Sequence, residues 1–238
     1  MIIGIWGQAG TGNSTLAYAI SSFLTKNETV LLIDTDLTQP TLPTMINGTV
    51  IDKSKSLGRA LNIGMKEATT YLHQDKKNKK LFYAGLTNGD NILSYEYGFE
   101  SAPFVERFLE NCKEIVDHIV LDISLQRSDP FLPYALTNAD KILMTLAPNT
   151  KGISRYKSCM ELINQFKVND KVLPIAVMVQ SFHDIRKIEQ NTDIKFCATI
   201  PYSKDVAMCI DNSNVLDVPK FKKQIKKIIK ALEVNDSE

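Results

Sequence analysis

A short glycine-rich stretch near the start constrains this chain more than any other feature. An apolar run, Ile2-Ile3-Gly4-Ile5-Trp6, leads into Gly7-Gln8-Ala9-Gly10-Thr11-Gly12-Asn13-Ser14-Thr15, and a helical pattern, Leu16-Ala17-Tyr18-Ala19-Ile20, follows. Strand, glycine-rich loop and helix start, in that order, form the setting that a phosphate-binding loop requires. Glycine enters left-handed backbone at little cost, so several N–H groups can converge on one anion. The helix start adds the positive end of its dipole at the same point. Against the template G-x-x-x-x-G-K-[ST], Gly7, Gly12 and Ser14 fit, and Asn13 stands where the lysine belongs.

The rest of the chain alternates between apolar runs and helical patterns. Buried strands are expected over 1–6, 30–33, 81–85, 118–122, 141–146, 174–179 and 196–200. Helices are expected over 14–25, 56–63, 103–115, 130–136, 152–166 and 219–234, with one turn at 185–188 and another helix from 205. Pro174 is placed at the first position of its strand, where a missing N–H costs least. Residues 88–100 carry little pattern and are expected to be irregular. Continuous rather than alternating apolar strands, separated by helices, predict an α/β fold. Its sheet is mostly parallel with helices on both faces, in three layers. Ligands of such folds bind at the carboxyl ends of the strands. No repeat, linker or composition break divides the sequence, so 1–238 is expected to be a single domain.

Several function classes are excluded or disfavoured early. The formal charge of +1 gives no global field favouring nucleic acid or membrane. The four cysteines include no C-x-x-C pair, which disfavours a zinc or redox centre. His73, His118 and His183 are isolated from one another, with no metal spacing. No apolar segment approaches the ~20 residues that span a bilayer, and no export signal is evident, so a cytoplasmic protein is expected.

Three carboxyl-end positions stand in order behind the loop. A nucleoside triphosphate is handled with Mg²⁺, held by a loop hydroxyl and by a carboxylate, directly or through water. Ser14 is the expected hydroxyl and Asp122, after Ile119-Val120-Leu121, the expected carboxylate. Asp36, after Leu32-Ile33-Asp34-Thr35, is the position that would orient an attacking water. The competing reading is that strand-end aspartates only cap the following turns.

With these pieces in place, the sequence resembles the ParA/MinD group of P-loop ATPases, including the pilus-assembly members called CpaE or TadZ. The resemblance rests on Gly7 to Thr15, on Val30-Leu31-Leu32-Ile33-Asp34-Thr35-Asp36 and on Asp117-His118-Ile119-Val120-Leu121-Asp122. Ala139-Asp140-Lys141-Ile142-Leu143 with Pro148, and Thr199-Ile200-Pro201-Tyr202, extend it over almost the whole chain. It implies ATP or ADP with Mg²⁺. Gly10, Thr11, Gly12, Asn13, Ser14 and Thr15 would lie against the phosphates, and Ser14 and Asp122 at the metal. Asp36 would lie at the water, and Pro201 and Gln180 beside the base. Relatives usually have asparagine where Gln180 stands. They also carry a signature lysine where Gln8 stands, and it reaches across a nucleotide-sandwich homodimer, so Gln8 puts that dimer in doubt.

An uncharged residue at position 13 separates holding a phosphate from cleaving one. A charged hydrogen bond contributes about 1.5–3 kcal/mol, so its loss weakens nucleotide affinity roughly 10- to 100-fold. Loss of one preorganised donor from a transition state costs ~10²–10³ in rate. The resulting expectation is a nucleotide-binding switch or scaffold that positions a partner assembly or a DNA element, with weak or absent hydrolysis. The alternatives are an interaction module that no longer binds nucleotide and an active partition-type ATPase.

Two basic stretches remain. Phe221, Ile225, Ile228, Ile229 and Leu232 share one helical face, and lysines cover much of the rest. The expectation is packing on the sheet. The alternative is a helix lying on the inner face of a membrane, as MinD relatives use. Lys76-Lys77 and Lys79-Lys80 are expected to form a solvated loop, with non-specific DNA contact, as ParA relatives make, as the alternative.

Overall fold

The computed structural model describes residues 1–36, 39–46, 52–63, 67–87, 90, 101–126, 129–210 and 215–233. From the N-terminus the chain runs β1 (Ile2–Gly7), α1 (Asn13–Leu24), β2 (Val30–Asp34), α2 (Leu42–Met45), α3 (Leu57–Ile63), β3 (His73–Gln74) and β4 (Leu81–Ala84). It continues through α4 (Ala102–Lys113), β5 (His118–Asp122), α5 (Phe131–Asn138), β6 (Lys141–Leu146), α6 (Thr150–Phe166) and β7 (Val172–Val179). The last elements are α7 (Ile185–Thr192), β8 (Ala198–Pro201), α8 (Lys204–Ile210) and α9 (Pro219–Glu233).

The strands form one eight-stranded sheet in the order β3-β4-β2-β5-β1-β6-β7-β8. Every pairing is parallel except β3 with β4. β1, β2, β5 and β6 are buried at every position, which is why their sequences do not alternate. Trp6, Phe108 and Phe131 belong to the core on one face, beneath α4, α5 and α6. Ile5, Ile20 and Ile225 belong to the core on the other, beneath α1 and α9. β1 lies between β5 and β6, so the loop leaving it emerges between the carboxyl ends of those two strands.

Two local expectations are corrected and two short elements are added. Pro174 is the third residue of β7, not the first. Its carbonyl accepts from Cys197 N at 2.9 Å, just ahead of Ala198 where β8 begins, so the missing donor points past the end of the neighbouring strand. α7 extends through Thr192 and is capped by Asp184, whose side chain accepts from Lys187 N at 3.1 Å. The two-residue β3 takes up part of the polar connection before β4, too short a strand to leave a periodic signal. α2 was not anticipated either. The irregular segment expected at 88–100 lies, apart from Asp90, outside the described residues, as does Val234.

The terminal helix follows the packing expectation. Phe221, Ile225, Ile228, Ile229 and Leu232 are all buried in the core shared with α1 and β8. That stripe is therefore not free to lie on a lipid surface.

Candidate functional site

β1 ends against β6 with no room to spare. A Cβ on Gly7 would stand 2.2 Å from the Thr145 carbonyl oxygen, so only glycine lets the loop leave at this height. Gln8 N donates to Thr145 O at 2.9 Å. The Gln8 side-chain oxygen accepts from Ala147 N at 3.1 Å, which turns the side chain onto the connection after β6. Gly10 and Gly12 hold φ of 71° and 84°, the left-handed region that glycine occupies most cheaply. α1 then starts at Asn13 with Gly12 as its cap, no side-chain cap and no acidic residue in its first turn. The first N–H groups of this helix are donors without a helical acceptor, in the geometry that receives anions.

Asn13 is held inward. Its side-chain oxygen accepts from the Thr145 hydroxyl and lies 3.0 Å from the Thr11 hydroxyl. The Thr11 hydroxyl is also 2.7 Å from the Gln8 carbonyl and 3.0 Å from the Thr145 hydroxyl. The residue at the lysine position is thus neutral and anchored to the end of β6. Thr145 was not singled out from the sequence; its only signal there is its place near the end of an apolar strand.

The carboxylates gather on the other side of the loop. Asp34 and Asp122 are register partners at the ends of β2 and β5. The Ser14 hydroxyl hydrogen-bonds the Asp122 carboxylate. Burial, and then the charge of Asp34, pushes Asp122 well above the ordinary carboxylate range. Asp34 does a different job. Its oxygens accept from Asp36 N at 3.0 Å, Thr41 N at 2.7 Å, Thr41 Oγ1 at 2.8 Å and Leu42 N at 3.3 Å. It therefore ties down the turn after β2 and the start of α2, as the capping reading expects. Burial still raises its pKa, against the lowering effect of those bonds. Asp36 is half-buried, and its Oδ1 accepts from Gln39 N at 3.0 Å.

Asp129 is a further buried acid that sequence reasoning missed. It accepts from Thr35 Oγ1 at 2.5 Å, Ser124 N at 3.1 Å and Phe131 N at 2.9 Å. Burial pushes its pKa up to about 7. Its only sequence signal is an acid just before Pro130 and a helix start.

Beside the loop lies an apolar cleft lined by Thr11, Gly12, Thr15, Met178, Pro201 and Tyr202 among others. Pro201 is one of the lining residues. Gln180 is not among the lining residues: it is exposed, and its N–H donates to His183 Nδ1 at 3.0 Å. Met178 takes part in its place, from a backbone with φ of 55° at a slip in the β7–β8 register. A Cβ on Gly12 would stand 3.7 Å from Met178 Cε, so this side chain reaches the glycine-rich loop itself. Among the described residues no group of three or more His, Cys, Asp or Glu could hold a metal ion. A cation at Ser14 and Asp122 would need phosphate and water oxygens to complete its shell.

No family model matches the sequence, and no curated protein resembles it in sequence. Solved structures do match in shape. The septum site-determining protein MinD of Pyrococcus horikoshii, complexed with Mg-ADP, superposes with a TM-score of 0.79 at 14% identity, covering 99% of this chain and 97% of that one. Apo McdA of Cyanothece gives 0.78 at 20% identity, covering 97% and 98%. A putative plasmid partition protein of Borrelia burgdorferi bound to AMPPNP gives 0.75 at 18%, covering 99% and 98%. The fold is that of MinD and ParA proteins. The likeness runs end to end on both sides. Among the described residues no helix is long and apolar enough to cross a membrane.

Proposed function

We propose that this protein is a MinD/ParA-like switch or scaffold that binds ATP or ADP with Mg²⁺ and hydrolyses ATP weakly or not at all. In this reading Gly10, Thr11, Gly12, Asn13, Ser14 and Thr15 receive the phosphates and the base enters the cleft at Pro201 and Met178. Ser14 and Asp122 are the protein groups at Mg²⁺, which when bound neutralises phosphate charge. The observation that carries the proposal is the state of Asn13: uncharged, with its oxygen held by hydroxyls of Thr11 and Thr145. Uncapped N–H groups at the start of α1 still favour an anion, while the cation that would meet growing transition-state charge is absent. Gln8, turned onto Ala147, offers nothing across a nucleotide-sandwich dimer. In this reading Asp36 orients the attacking water in whatever turnover remains.

The solved neighbours support nucleotide and a positioning role. They include MinD with Mg-ADP, a partition protein with AMPPNP and a MinC:MinD cell division complex from Aquifex aeolicus. In this reading the chain falls in the group that includes the CpaE or TadZ pilus-assembly members. The partner is then an assembly protein or a DNA element, reached from the cytoplasm.

The test is thermal unfolding with and without Mg·ATP, alongside steady-state phosphate release by the natural chain and by Asn13→Lys. A ligand that binds only the folded state must raise apparent stability. The expected result is a Tm increase at millimolar nucleotide with negligible release, and tighter binding in Asn13→Lys by roughly 10- to 100-fold. No Tm increase at any nucleotide level leaves the non-binding interaction module. Turnover typical of an active ATPase overturns the proposal outright.

A further inference from the structure

Met178 stands in left-handed backbone, with φ of 55°, where a long side chain is strained. It lies within the slip in the β7–β8 register, is 36% exposed, and its Cε reaches Gly12. Strain of this kind persists only where the surrounding structure imposes it, and it gathers at ligand sites. Tyr202, 48% exposed, brings an aromatic ring to the same cleft. Both side chains are open to a ligand that enters beside the glycine-rich loop.

Among the described residues, the polar side chains that line this cleft are those of Thr11, Thr15, Tyr202 and Ser203, and each is a hydroxyl. Thr11 and Thr15 belong to the loop end, where phosphates are received, which leaves Tyr202 and Ser203 for a base. Ser203 Oγ accepts from Val206 N at 3.3 Å and keeps its own proton and a second lone pair. Two main-chain donors of the same rim are committed: Tyr202 N to Val179 O at 2.9 Å and Ala207 N to Ser203 O at 3.2 Å. Adenine presents a donor at its 6-position beside a ring acceptor, and guanine presents the reverse. A hydroxyl donates or accepts as required, so it meets either edge. A pocket that reserves a fixed hydrogen bond for one substrate rejects the analogue that lacks it by roughly 10⁴–10⁵. The lining side chains, hydroxyl or apolar, hold no such fixed group.

We infer that the cleft takes purine nucleotides of both kinds, 6-amino and 6-oxo, so that GTP and ITP bind about as well as ATP. The inference rests on the nucleotide reading above and states what that site distinguishes. Selection comes from apolar contact: a purine covers more of Met178, Pro201 and Tyr202 than a pyrimidine does. Met178 suits this role, because an unbranched, polarizable thioether adapts to rings that differ at their edges.

The test is the Kd of each nucleotide, taken from Tm against nucleotide concentration with equimolar Mg²⁺. ATP, GTP and ITP are expected to agree within about fivefold, the span of a single net hydrogen bond. CTP and UTP are expected to bind about threefold to tenfold more weakly, for want of apolar area. Tyr202→Ala is expected to weaken the purine nucleotides about threefold or more while the ATP-to-GTP ratio stays within the same limit. Should that variant fail to fold, the nucleotide series on the natural chain still decides. A preference above fivefold between ATP and GTP, in either direction, overturns the inference and leaves the nucleotide reading standing. Pyrimidine nucleotides that bind as tightly as ATP, or a folded Tyr202→Ala with unchanged affinity, take the base out of the cleft and overturn it too. No Tm response to any of these nucleotides overturns the nucleotide reading itself, and the inference with it.

Discussion

Gly7 and Gly10 sit three residues apart in the same loop, yet they are glycine for different reasons. At Gly7 the obstacle is matter: the Thr145 carbonyl occupies the place a side chain would take. At Gly10 there is open space within 4 Å and the constraint is a φ of +71°. Gly7→Ala therefore forces β1 from β6 and is expected to cost at least the roughly 1–3 kcal/mol of overpacking, with loss of any nucleotide response. Gly10→Ala meets only backbone strain of about 1–2 kcal/mol and is expected to remain folded. Urea denaturation of both variants checks the ordering. Gly7 could be read from the motif and Gly10 only from the glycine-rich stretch, and the structure alone distinguishes their roles. Asn13 was legible as a missing cation. Its anchoring was not, because Thr145 lies 132 positions away.

At the scale of elements, strands and long helices were legible where local sequence decides them. β1, β2, β5 and β6 are apolar throughout because helices cover both of their faces. β3 and α2 were invisible for the opposite reason: a pairing with β4 holds one, and the Asp34 carboxylate caps the other. α9 shows how a stripe and its reverse face differ in weight. Ile225 is 0% exposed, so Ile225→Ala is expected to destabilise by about 2–5 kcal/mol. Lys226→Ala, on an exposed position of the same helix, is expected to stay within about 0.5 kcal/mol. Chemical denaturation of the two variants measures the contrast. A comparable cost for Lys226→Ala would mean that the basic face is buried against something.

For the whole molecule, several acids are buried at one edge of the sheet, and this sets how stability follows pH. Asp129 has the ordinary carboxylate pKa of 3.8 when unfolded and one of about 7 when folded, because burial disfavours its charge. Between those values the unfolded chain has released a proton that the folded chain still holds. Stability therefore falls as pH rises from about 4 to about 7 and levels off above that. Asp34 and Asp122, also raised by burial, act in the same direction. Thermal unfolding is expected to give a higher Tm at pH 5 than at pH 7.5. Asp129→Asn is expected to flatten that slope while losing the Phe131 N–H contact, which an amide cannot keep together with the other two. A Tm that climbs from pH 5 to pH 7.5 would contradict the burial of these groups.

The amino-acid sequence by itself determined the order of the strands other than β3 and of the helices other than α2, the strand–loop–helix setting of Gly7 to Thr15 and the identity of the neutral residue in it. Each of these rests on neighbours within a turn or a strand, where side-chain periodicity and glycine freedom act directly. Only the tertiary structure decided which distant groups meet: Thr145 with Asn13, Asp129 with Thr35, and Met178 with Gly12. Those meetings are fixed by the register of parallel strands joined through long crossovers. No short stretch of sequence records that register, because burial on both faces leaves β1, β2, β5 and β6 reading alike.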